Sequence, residues 1–256
     1  MTLVDWREKC TPIRDQGQCG SCTAFGTIGA WEGLLKINGE EVDLSERDLF
    51  FCEGGTCSQG AEANQPLDQA KIGVCYEEYC PYGDTSGGAD HACGDGLATH
   101  WKGRRIKSYK PLNGVDEIKA ALDKGPVVTT MMCHQSFMVY MGGIYHSLGI
   151  WDPFVGGHMV ALVGYDDVVG YWIGRNSWGP VGWGEGGYFR IVFGDSNIDD
   201  LAYALELKPG EIEGDSPGPG PEPPSDCPVA RGIVAFLNAG YKLFGRKTRF
   251  RAIVPE

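Results

Sequence analysis

Phe25, Ile28, Trp31 and Leu35 recur at helical spacing behind Cys22 until Asn38-Gly39 interrupts them, which predicts a helix whose first turn holds Cys22. Ser45-Glu46-Arg47-Asp48 has the form of a helix start ahead of the apolar Leu49-Phe50-Phe51. Residues 61–72 read as a third helix, with Pro66 an awkward member and Gly73 a stop. From Cys80-Pro81-Tyr82-Gly83 to residue 96, turn formers dominate and the chain reads as loop.

Past residue 111 the period changes. A short helix at 115–124 is closed by Gly125-Pro126. Apolar runs at 127–132, 159–165, 169–173, 188–193 and 201–207 then have the length and the β-branched or aromatic content of strands. A helical half followed by a strand-rich half is an α+β arrangement.

The 256 residues, 42% of them hydrophobic, suit one or two packed domains, and no apolar run approaches the length of a membrane span. A net charge of −12 argues against a nucleic-acid partner, which needs basic patches to displace phosphate counterions. That charge is uneven: residues 227–256 carry a net +5, which leaves −17 for residues 1–226.

Candidate chemistry sits where the pattern changes. Gln16-Gly17-Gln18-Cys19-Gly20-Ser21 leads up to Cys22, and the unpaired N–H groups and dipole of a helix start favour thiolate over thiol there. A cysteine in such a setting is also a common half of a structural disulfide, so a base and an orienting group must decide. His158 heads an apolar run in Gly156-Gly157-His158-Met159, and Asn176 follows the next run in Arg175-Asn176-Ser177-Trp178-Gly179. Cys19-Gly20-Ser21-Cys22 lacks the βαβ surroundings of a redox centre, and no second Cys-x-x-Cys pairs with it to hold zinc. Cys133-His134 has no useful metal spacing either, and His91, His100, His134 and His146 read as ordinary surface or satisfied residues. The residues call for no cofactor and no metal.

His158 lies 136 residues beyond Cys22 and Asn176 lies 154 beyond, and with the motifs around them the chain resembles the papain-like cysteine proteases of the papain and cathepsin type. The resemblance covers residues 5–207 and implies a two-lobed α+β fold. A helical lobe of about 10–110 would face an antiparallel, β-barrel-like lobe of about 111–208, with the active site in the cleft between them. It also implies a peptidase acting on polypeptide substrates, with Cys22 as nucleophile, His158 as its proton partner, Asn176 as the orienting group and Gln16 as an oxyanion donor. Trp178 would cover the His–Asn contact and Trp183 would stand near the substrate. Gly60 would pair through its backbone with an extended substrate, beside Gln59, which stands where the family has a glycine, while Ala61, Thr130, Gly157 and Met159 would wall a small to medium apolar pocket with Glu62 nearby. Thr23 departs from the family, which nearly always has tryptophan there. No long Cys- and His-rich insert lies between Cys52 and Cys93, so an endopeptidase is expected, with an exopeptidase or a peptide-binding homologue as the alternatives.

By the same resemblance Cys19 bridges to Cys57 and Cys52 to Cys93, leaving Cys22 reduced. Cys75 and Cys80 are near enough in sequence for a local bridge, and Cys10, Cys133 and Cys227 are left without an assigned pairing. Ten cysteines point to secretion, a lysosome-like organelle or another oxidising compartment. No signal peptide precedes Asp5-Trp6-Arg7, and an inhibitory propeptide, an expected partner of the family, is not in this chain. Residues 209–226, with Ser216-Pro217-Gly218-Pro219-Gly220-Pro221, read as an exposed linker. In residues 227–256, Ile233, Leu237, Tyr241 and Phe244 recur at helical spacing before Arg246-Lys247. Such a tail either docks on the acidic body or tethers the protein to an anionic partner or surface.

Overall fold

A computed structural model of the chain describes residues 2–85, 88–94 and 97–215. Helix α1 (Cys22–Ile37) is buried along almost its whole length. Glycines make that possible: a Cβ on Gly26 would lie 3.0 Å from the Met159 backbone, and one on Gly33 2.9 Å from the Pro126 ring. Larger residues would hold the helix off the sheet it packs on.

Two short helices brace α1 on its far side, α2 (Glu46–Cys52) and α3 (Gln65–Ile72). The latter begins later than its apolar pattern suggests because Pro66 sits in its first turn, where a missing N–H costs nothing. The strands are β1 (Leu3–Asp5), β2 (Val74–Cys75), β3 (His100–Arg104), β4 (Ile106–Leu112), β5 (Val127–His134), β6 (Ile144–Tyr145), β7 (Phe154–Asp166), β8 (Tyr171–Arg175), β9 (Tyr188–Val192), β10 (Ala202–Leu207) and β11 (Ile212–Asp215). Helix α4 (Gly114–Leu122) precedes β5 and a single turn, α5 (Gln135–Met138), follows it.

Eight strands form one sheet in the order β4-β10-β5-β7-β8-β9-β6, with β1 paired to β7, and only β6 and β9 run parallel. The fold is α+β. The sheet is open, with β4 and β6 at its ends, so the barrel-like lobe expected from the sequence does not close into a barrel. A second sheet, β11-β3-β2, lies in the half expected to be helical. Trp31, Leu35, Leu49 and Phe50 form the core of the helical side, and Leu122, Val127, Trp172 and Phe189 that of the sheet side. Between them Ala30, Val128, Met159, Ala161 and Ile173 join α1 to the sheet in a third cluster that includes Cys22.

Two expectations change here. Cys19–Cys57 and Cys52–Cys93 are disulfides, but Cys75 and Cys80 are not joined. Cys75 is fixed in β2 by its N–H donating to Asp48 Oδ2 at 2.9 Å, and the Cys80 carbonyl accepts from Ser45 Oγ at 2.6 Å. The two side chains meet as hydrogen-bonded thiols. The linker cannot begin at 209, because Ile212–Asp215 pair with β3. The rest of the linker and residues 227–256 lie outside the described residues.

Candidate active site

Cys22 is the first residue of α1, and the turn before it is held from three directions. Gly20 N–H donates to Cys57 O at 2.9 Å beside the Cys19–Cys57 disulfide, Ser21 Oγ lies 2.6 Å from Tyr82 OH, and that hydroxyl donates to Gln16 O at 2.8 Å. The turn that presents the thiol is thereby tied by a disulfide and by hydrogen bonds on both sides.

His158 comes from β7 and Asn176 from the turn after β8, where Asn176 N–H donates to Gly187 O at 3.0 Å. The imidazole Nε2 lies 2.7 Å from Asn176 Oδ1, and since an amide oxygen only accepts, Nε2 carries the proton. Nδ1 is buried without a hydrogen-bond partner. Trp178 stacks on the ring at 5.0 Å between centroids, 29° from parallel.

A groove of ≈ 320 Å³ brings most of the expected residues together: Cys22, His158, Gln59, Gly60, Ala61, Thr130, Gly157 and Met159 all line it. Gly20, Thr23 and Ala63 line it as well. Glu62 is not on its wall. Gln16 is buried at the edge of this arrangement, its Nε2 donating to Cys19 O at 2.9 Å and its Oε1 accepting from Ser177 Oγ at 2.7 Å. Trp183, expected at the substrate, is instead a core residue behind Trp178, with its indole N–H donating to Phe137 O at 2.9 Å.

Enclosure dominates the electrostatics. Burial pushes the Cys22 thiol up to about 11, against the lowering effect of the Met159 and Thr23 backbone N–H groups. Burial likewise brings His158 down to about 4, with Asn176 opposing it. The helix-start effect expected to favour thiolate is thus outweighed by desolvation. Sequence reasoning also missed Glu53. Its Oε1 accepts from Thr23 Oγ1 at 3.3 Å, its Oε2 is buried without a partner, and burial pushes the carboxyl up to about 9. Glu53-Gly54-Gly55 reads as an ordinary exposed turn, so nothing in the local sequence marks it.

The family model for papain family cysteine proteases matches residues 2–205. The chain is 37% identical over 227 residues to cathepsin B-like CP2 of Giardia intestinalis, covering 78% of this chain and 72% of that one. It is 39% identical over 205 residues to cysteine proteinase 1 of Entamoeba histolytica, covering 74% and 62% respectively. Among solved structures, the Carica candamarcensis cysteine protease CMS1MS2 in complex with E-64 superposes with a TM-score of 0.68 at 29% identity, over 82% of this chain and all of that one. The chain belongs to the papain family of cysteine proteases.

Proposed function

We propose that the chain is an endopeptidase that cleaves extended polypeptide segments, with Cys22 as nucleophile, His158 as its proton partner, Asn176 as the orienting group and Gln16 as an oxyanion donor. The observation that carries this reading is the division of labour in the imidazole. One nitrogen is tied to Asn176, while the other is buried, unpartnered and on the same groove as Cys22. Such a ring has one basic lone pair to offer, and the thiol is the acid that shares its wall.

With Cys22 raised and His158 lowered, both by burial, neither group charges alone at neutral pH. Moving the proton from Sγ to Nδ1 creates both charges side by side, where each stabilises the other. The thiolate attacks the carbonyl carbon, the imidazolium protonates the departing amine, and water activated by His158 then hydrolyses the thioester. Gln16 Nε2 gives one N–H to Cys19 O and keeps a second for the oxyanion, and the Cys22 backbone N–H is the other donor. Gln59 and Gly60 pair with the substrate backbone, and Ala61, Thr130, Gly157 and Met159 take a small to medium apolar side chain two residues before the cut. The absence of an insert between Cys52 and Cys93 supports internal cleavage over exopeptidase action. Two disulfides support an oxidising compartment.

The test is an epoxide or vinyl-sulfone warhead with peptide mapping. A single adduct on Cys22 is expected. Cys22→Ser should abolish the adduct and lower kcat/KM by about 10³-fold or more, with an unchanged melting temperature. Modification of a different thiol, or peptidase activity that survives Cys22→Ser, would overturn the assignment. Peptide binding by a wild type that neither cleaves nor labels would make the chain a binding module.

A further inference from the structure

The two donors proposed for the oxyanion come from different parts of the chain. Gln16 lies in the loop that leads to α1, whereas the Cys22 N–H belongs to the first turn of α1 itself. A pair of donors stabilises a developing charge best when their separation is fixed before the substrate arrives, since donors that must still move into place lose much of their effect.

Gln16 is fastened first to the turn after β8. Its N–H donates to Ser177 O at 2.9 Å and its Oε1 accepts from Ser177 Oγ at 2.7 Å. Toward α1 it meets Cys19, through Nε2 to Cys19 O at 2.9 Å and through Cys19 N–H to Gln16 O at 3.4 Å, and that turn closes before Ser21 is reached. The bond that goes further comes from Tyr82. Its hydroxyl donates to Gln16 O at 2.8 Å and lies 2.6 Å from Ser21 Oγ. A phenol has one proton to give, so the serine hydroxyl is the donor in the second bond. Ser21 and Cys22 share the peptide unit that carries the Cys22 N–H, and Ser21 O accepts from Ala24 N–H at 2.9 Å as α1 begins. One oxygen atom therefore ties the segment of one donor to the segment of the other.

The ring that carries this oxygen is fixed in turn. Tyr82 is 5% exposed, Phe25 of α1 meets it edge-on at 4.8 Å between centroids, and its N–H donates to Glu77 Oε1 at 2.8 Å. Burial pushes the hydroxyl up from its ordinary value, so it keeps its proton and its donor role. A phenylalanine would fill the same space and keep the contact with Phe25, so packing alone does not account for the hydroxyl. Tyr82 does not line the groove, and its effect on the reaction must pass through Gln16 and Ser21.

We infer that Tyr82 is a positioning residue for the oxyanion site, and that its hydroxyl sets the distance between the Gln16 amide and the Cys22 N–H. The inference rests on the roles proposed above for Gln16 and Cys22. An interaction of this kind is felt only as the carbonyl becomes tetrahedral, so it acts on kcat and leaves KM alone. With the Gln16 side chain removed only one donor remains, and there is no distance left to set.

The experiment uses the full chain and the variants Tyr82→Phe, Gln16→Ala and the two combined. Tyr82→Phe should lower kcat about tenfold with KM within about twofold of wild type, and should weaken in proportion the binding of a peptide aldehyde, whose carbonyl carbon becomes tetrahedral on Cys22. Alkylation of Cys22 by an epoxide warhead, which forms no tetrahedral carbonyl, should keep its wild-type rate. In the Gln16→Ala background the tyrosine change should have no further effect on kcat. A wild-type kcat in Tyr82→Phe would overturn the inference. So would an equal loss in both backgrounds, which makes the two residues independent, or an equal loss of epoxide alkylation, which makes the effect a general disturbance of Cys22. Should Tyr82→Phe not fold, Ser21→Ala removes one of the two bonds and keeps the ring: a lowered kcat with unchanged alkylation supports the inference, and a wild-type kcat overturns it. Gln16→Ala with a wild-type kcat would remove the oxyanion role of Gln16 and this inference with it, as would a wild type that cleaves no peptide. A lowered kcat in Gln16→Ala beside an inert Tyr82→Phe would overturn this inference alone.

Discussion

Thr23 lines the groove, and its hydroxyl donates to Glu53 Oε1 at 3.3 Å. Burial holds the Glu53 carboxyl protonated up to about 9, with the Thr23 hydroxyl opposing the shift. A neutral carboxyl is compatible with a thiolate nearby, whereas an ionised one would oppose it, since the Glu53 charge raises Cys22. The stability consequence has a definite sign. Between an unfolded value near 4.5 and the folded value of about 9, only the unfolded chain has released this proton, so stability falls as pH rises through that window. Each pH unit removes up to about 1.4 kcal/mol. Glu53→Gln should therefore match wild type in urea unfolding at pH 4 and exceed it at pH 8. An equal loss at both values would show that the carboxyl is held by contacts and not penalised by burial. Cys22, His158 and Asn176 were legible because each stands in a glycine-flanked motif of its own. Glu53 was not, because the Thr23 hydroxyl it accepts from lies 30 residues away in the sequence.

At the scale of elements, helices were easier to find than strands. Apolar periodicity located α1, α2 and α4, and the turn chemistry at Ser45 was complete in the sequence. Ser45 Oγ accepts from Asp48 N–H at 3.0 Å as a cap and donates to Cys80 O at 2.6 Å, so one hydroxyl joins the start of α2 to the loop beyond β2. Ser45→Ala removes both bonds from a buried site and should cost about 1–2 kcal/mol in denaturant unfolding. A change near zero would mean that water replaces the hydroxyl there. Strands β3 and β4 escaped notice because Lys102, Arg104, Lys107 and Lys110 break their alternation. Only Ile106 and Leu112 of β4 are buried, one at each end of the strand. The start of β7 was missed for a different reason. Gly156-Gly157 reads as a turn, yet both glycines are strand residues beside His158, paired to Cys133 and Met132.

For the whole molecule, the point at issue is where the fold ends. Composition placed the boundary at Lys208, since Glu211, Glu213 and Asp215 look like the start of a solvated linker. Among the described residues the fold runs at least to Asp215. Strand β11 lies antiparallel to β3, the Ile212 side chain occupies the space a Cβ on Gly73 would fill, and Trp101 covers Gly214 in the same way. Tyr76 OH donates to Glu211 Oε2 at 3.0 Å, and Lys102 pairs with Glu211 at 3.0 Å and Glu213 at 3.4 Å. The ion pairs are exposed and add little, so the packing of Ile212 and the backbone ladder carry most of the attachment. A chain ending at Lys208 exposes that packing surface and leaves β3 as a new sheet edge. It should melt about 5 °C or more below a chain ending at Asp215, in line with a loss of about 2 kcal/mol in a domain of this size. Differential scanning calorimetry of the two truncations decides the matter, and equal melting temperatures would return the boundary to Lys208.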